Sequence, residues 1–171
     1  ERKSLRDMAA MVMAQIELQH AFGRVDPVSG LPNRNQFRED FDDLIKDRPG
    51  QMAELVLLNI ARPEEVAVAT RVMGNDYLDT LTKGAAAMIR ALLPVERQVY
   101  HVGETQFAFF APRDSEDVVD RAALSTFLSD YEYGVDSRFV TTASFGIARF
   151  CIGEQTNVDV LRMAHSASQD A

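Results

Sequence analysis

The 171-residue sequence has one cysteine, no tryptophan, and a deficit of basic side chains: 18 Lys and Arg against 26 Asp and Glu, a formal net charge of −8. One cysteine excludes an intrachain disulfide, and a cysteine-poor chain fits a reducing compartment, so a cytoplasmic protein is expected. Cys151 follows an apolar stretch with no His or Lys beside it, which suits a small hydrophobe better than a nucleophile. Dispersed Lys and Arg with net negative charge argue against a duplex nucleic-acid partner, whose affinity rests on neutralising phosphates. No apolar run approaches the ~20 residues of a membrane span, and no leader of charged, apolar and small residues opens the chain. No nucleic-acid or membrane contact is therefore expected. His20, His101 and His165 share no ligand spacing, and the acidic pairs Asp42-Asp43, Glu64-Glu65 and Glu116-Asp117 fall at helical positions, where they suit solvated faces or helix dipoles. No metal site is expected from them.

What is present is a hydrophobic content of 46%, enough for a chain of this size to bury roughly 70% of its unfolded surface without a staple. Residues Glu1 to Phe22 lack Pro and Gly and place Met8, Met11, Leu18 and Phe22, with Gln15, on one seam, which predicts an amphipathic helix ending at Gly23. It opens charged and mid-helix without Met, the pattern expected of a segment of a longer chain. After a turn-rich loop, a helix is predicted from Asn35 to Lys46 and a strand at Leu55 to Leu58, whose continuous apolar run calls for burial on both faces. A long helix from Pro63 to about Leu93 follows, with a bend at Met73, Gly74 and Asn75. Arg97 to Val102 and Gln106 to Ala111 form a hairpin across Gly103, Glu104 and Thr105, the second strand central. A helix over Asp114 to Asp130, a strand over Phe139 to Phe150 and a last helix from Asn157 complete a sheet covered by helices.

Asp26-Pro27-Val28-Ser29-Gly30-Leu31-Pro32-Asn33-Arg34, with Phe37 beyond it, resembles the D-x-L-T-G-L-P-N-R-x-x-F opening of GGDEF domains, the diguanylate cyclase family. Leu57-Leu58-Asn59, the turn Gly103-Glu104-Thr105-Gln106-Phe107, the strand Thr141 to Ala148, and Val160-Leu161-Arg162-Met163-Ala164-His165 are similar to later family motifs in the same order. The resemblance implies an α+β fold like the nucleotide-cyclase palm, a mainly antiparallel sheet flanked by helices. It sets an N-terminal linker helix at residues 1–23 and the domain at 24–171.

Family members join two GTP molecules into cyclic di-GMP with divalent metal, which needs hard oxygen ligands against the phosphates. By the resemblance, the two metal-binding acids fall at Asn59 and Thr105, and the acid after the second at Gln106. Glu104 stands one residue early, and a one-residue offset in a strand turns a side chain to the other face. Along Asn59-Ile60-Ala61-Arg62-Pro63-Glu64, the phosphate cradle loses an N–H at Pro63 and gains a repulsive charge at Glu64, where the family has lysine. The guanine-reading positions fall near Ala67 and Asn75. The inhibitory R-x-x-D window reads Pro94 to Arg97, so no inhibitory site is expected, and Arg90 and Arg97 are expected as solvated charges. Asn59, Ile60, Arg62, Asn75 and Gly103 remain as a vestigial nucleotide site.

The expectation is thus a degenerate GGDEF domain with no catalytic residues and no metal, a regulatory or dimerisation module coupled to an upstream sensor and a downstream EAL phosphodiesterase, with a homodimer through its first helix. GTP and Mg²⁺ would enter only with residual family activity. The alternatives are a GTP-binding allosteric domain without turnover and an active cyclase using Glu104 and Asn59.

Overall fold

The computed structural model describes residues 7, 11, 23–94, 97–112 and 143–169. The expected first helix, apart from residues 7 and 11, the helix over 114–130 and the strand positions 139–142 lie outside them.

The elements are α1 (Arg34–Asp47), β1 (Met52–Asn59), α2 (Pro63–Met73), α3 (Asn75–Leu92), β2 (Val99–Gly103), β3 (Gln106–Pro112), β4 (Ser144–Cys151) and α4 (Asn157–Gln169). The four strands pair in the order β2-β3-β1-β4, each pair antiparallel. Strand β1 is therefore internal, and the run Leu55 to Leu58 is buried on both faces, as its lack of alternation requires. Val56 and Leu58 face Leu81, Ala85 and Ile89 of α3 together with Phe107 and Phe109. Leu55 and Leu57 face Phe37 and Phe41 of α1, Val160 and Ala164 of α4, and Phe150. Two layers of helices thus sandwich one sheet.

Local chemistry accounts for the element ends. Asn33 caps α1, its side-chain oxygen accepting from the backbone N–H of Asn35 and Gln36. The expected bend in the long helix is a full break: Gly74 adopts φ 86°, which separates α2 from α3. Gly146 serves a close approach. A Cβ there would lie 2.0 Å from the Ala164 carbonyl oxygen, so only glycine lets α4 sit this near β4. Phe37, Phe41, Tyr100, Phe110 and Phe150 form an aromatic cluster under α1, with Phe37 stacked on Phe110 at 5.2 Å. Tyr100 donates its hydroxyl to Asp40, and burial, followed by that bond and the carboxylate charge, pushes the hydroxyl above its ordinary range. No helix among the described residues is long and apolar enough to cross a membrane.

Candidate functional site

Strand β1 ends at Asn59, directly between Gln106 on β3 and Ser144 on β4. The hairpin turn Glu104-Thr105 folds back over this end, and the Ile60 N–H donates to the Thr105 carbonyl at 3.0 Å. With its nitrogen turned inward, the Asn59 amide donates to Thr105 Oγ1 (3.0 Å), to the Thr105 carbonyl (3.2 Å) and to the Ala61 carbonyl (2.9 Å). The Thr105 hydroxyl then passes its own proton toward the Ala61 carbonyl at 3.4 Å. The two positions singled out as replaced acids are therefore joined to each other. A neutral amide and a neutral hydroxyl tie the end of β1 to the hairpin.

These donors do not fit a divalent cation. Magnesium takes hard oxygen ligands and is ordinarily held by one or two carboxylates beside its waters, whereas the carbonyls of Ala61 and Thr105 already receive N–H groups, and a cation would have to displace those N–H groups. Glu104, the one carboxylate of the turn, is exposed and lies on the rim of a shallow cleft with Asp26, Asn33 and Arg34. Among the described residues no three His, Cys, Asp or Glu side chains converge in a way that could hold a metal.

The start of α2 offers an anion fewer N–H groups than an ordinary helix start. Pro63 occupies the first helical position and contributes no N–H. The Arg62 N–H donates to Glu65 Oε2 at 2.9 Å, so a carboxylate of the helix itself takes the place a phosphate would need. Glu64 stands exposed in the same turn, where an acid suits the helix dipole and repels an anion. Of the vestigial set, Asn59 and Ile60 lie together beside Thr105, with Ile60 fully buried. Arg62, Ala67 and Asn75 are exposed at or near the starts of α2 and α3, and Gly103 ends β2, where a Cβ would meet Gln106 Oε1 at 2.8 Å.

Pro94 and Arg97, the described ends of the window Pro94 to Arg97, border a cleft of about 550 Å³ that Arg90, Leu93, Leu31 and Val99 also line. Arg90 is exposed, as expected. Arg97 is not simply solvated: its guanidinium carbon lies 5.9 Å from the Phe109 ring centroid, a contact that draws the side chain onto the apolar strand.

Three contacts escaped the sequence reading. Glu65 was visible only as an acid in a first turn, although its position three residues after the cap is the spacing a capping side chain needs. The loop 24–33 carries the second contact. Asp26 accepts from the N–H of Val28 (2.9 Å) and Ser29 (2.7 Å), from Ser29 Oγ (3.1 Å), and pairs with His101 Nδ1 at 3.1 Å. Burial pushes the Asp26 carboxyl up, but the Ser29 N–H and the facing His101 outweigh it and hold it below the usual carboxylate value. Third, Gln106 contacts His165 at 3.2 Å, and Gln169 contacts the other ring nitrogen at 3.1 Å, which joins the hairpin to α4.

No family model and no curated protein matches the chain. Solved structures do. The GGDEF domain of FimX from Pseudomonas aeruginosa aligns over 86% of this chain and 93% of its own, with 23% identity and a TM-score of 0.69. The coiled coil and GGDEF domain of DgcB from Caulobacter crescentus, solved with c-di-GMP, aligns over 98% and 92%, with 20% identity and a TM-score of 0.76. The chain has the GGDEF fold. The Vibrio cholerae LapD S helix-GGDEF-EAL structure, bound to c-di-GMP, aligns at 15% identity and a TM-score of 0.64, over 96% of this chain but 37% of LapD. Gly103 to Phe107, expected as the signature turn, span the β2–β3 hairpin, and Asn59 stands at the strand end facing it.

Proposed function

We propose that this chain is a catalytically inactive GGDEF domain, acting as a regulatory and dimerisation module of a bacterial cyclic di-GMP signalling protein. The observation that carries the reading is the Asn59–Thr105 hydrogen bond. Neutral partners satisfy each other where the reaction would need two carboxylates and a metal. The occupied start of α2 supports it, since Glu65 holds an N–H that a terminal phosphate would use.

In this reading residues 1–23 form an incoming signalling helix that also pairs with a second copy, and residues 24–171 form the domain. The setting is cytoplasmic, and the output partner is an EAL phosphodiesterase that follows α4, an arrangement of the kind named in the LapD structure. The test is incubation of the protein with GTP and Mg²⁺, with chromatographic detection of cyclic di-GMP. No product above the protein-free background is expected, and measurable turnover overturns the reading. A calorimetric titration with GTP accompanies it. Saturable binding without turnover would replace an inert module by a nucleotide-sensing one.

A further inference from the structure

His101 lies at the junction of the loop 24–33 and the sheet, with its side chain 8% exposed. Its backbone N–H donates to the Pro32 carbonyl at 2.8 Å, and Asn33 makes a parallel bridge to it, so loop and strand β2 are already in register. Its ring lies flat on Phe107, with centroids 4.8 Å apart. Both ring nitrogens face acceptors. Nδ1 stands 3.1 Å from Asp26 Oδ2 and 3.3 Å from Ser29 Oγ, which already leans on Asp26 Oδ1, while Nε2 stands 3.3 Å from the Glu104 carbonyl.

A neutral imidazole carries one N–H and therefore leaves one of these acceptors facing a lone pair. Only the imidazolium donates on both sides. We propose that protonation of His101 clamps the loop 24–33 to the signature hairpin, so that the entry point of the preceding segment is held firmly in mildly acidic solution and loosened in alkaline solution. The lever arm is short, because the Gly23 carbonyl accepts from the side chains of Asn33 (2.9 Å) and Asn35 (3.1 Å), which places the incoming chain on the same loop. The charged surroundings are few. The loop presents Asp26, α1 presents Arg34 and the turn presents Glu104 around the same cleft, and β3 presents only the uncharged Phe107. The device is independent of catalysis, so it stands or falls separately from the cyclase assay.

The test is amide hydrogen exchange of residues 24–33 in the 171-residue protein at about pH 5.5 and about pH 8, corrected for intrinsic exchange and spanning the range where histidine titrates. Protection should be on the order of tenfold greater at the acid end, the scale of one charged hydrogen bond. His101→Arg should keep the loop protected at both values, and His101→Gln should leave it weakly protected at both. Wild-type protection constant within roughly twofold, or a pH dependence that survives in His101→Arg, overturns the proposal. Should a variant fail to fold, the ring shift of His101 in the wild type serves instead. It must share its titration midpoint with the Val28 and Ser29 amides, and separate midpoints overturn the clamp.

Discussion

The loop around Asp26 and the strand end at Asn59 are both places where distant segments are stitched by a side chain, and they use opposite electrostatics. At the loop an ionised carboxylate gathers two backbone N–H groups, a hydroxyl and an imidazole. At the strand end a neutral amide reaches two carbonyls and a hydroxyl. The first arrangement needs its charge, since every partner donates to it. The second would be damaged by one, because a carboxylate at residue 59 would face carbonyl oxygens that only a cation could bridge. Among the described residues, the tie at the strand end is made by hydrogen bonds between neutral groups.

Four substitutions and a pH scan break or sharpen that contrast. Asp26→Ala should have the largest effect, about 3 kcal/mol of unfolding free energy by chemical denaturation, since it strips several bonds to a charged acceptor. Asn59→Asp follows at about 2 kcal/mol, because it replaces a donor by an unpaired anion against carbonyls. Its loss should be partly recovered by millimolar Mg²⁺ in a thermal melt. A melt unaffected by the substitution would mean that the amide is not the tie described. Glu65→Ala should cost about 1 kcal/mol, as expected of a lost helix cap, and a larger loss of stability would point to a role beyond capping. Glu104→Ala should change stability by less than about 0.5 kcal/mol, as for an exposed side chain. Acid titration completes the series. Because Asp26 titrates below the ordinary carboxylate value of about 3.9, its contribution is fully present above that pH and is lost as pH falls through the depressed value. Asp26→Asn should flatten this part of the stability profile.

Much of the fold was legible because its signals are local. The continuous run at Leu55 to Leu58 predicts a strand covered on both sides, the spacing of Phe37, Phe41, Leu44 and Ile45 predicts a helix, and Gly103-Glu104-Thr105 predicts a hairpin. The expected boundaries differ from the observed ones by a few residues, as with β2, which starts at Val99 rather than Arg97. Gly74 was expected to bend a helix and instead divides it, because its positive φ cannot be read from composition. Arg97, expected in solvent, leans on Phe109, a contact that exists only once β2 and β3 are paired.

The chemistry of the site was legible in part. The resemblance to GGDEF domains singles out Asn59 and Thr105, and that both are uncharged needs only their identities. That they bond to each other across 46 residues needed the antiparallel register that brings Asn59 opposite Gln106. The same holds for Asp26 and His101, and for Gln106 and His165. A single sequence carries residue type, spacing and periodicity, so it indicated the described helices and strands and the turn between β2 and β3. Strand order and side-chain partnership depend on packing both faces of one sheet at once. Only the tertiary structure could therefore decide that the Asn59 and Thr105 side chains close on each other, and that Asp26 of the loop meets His101 of β2.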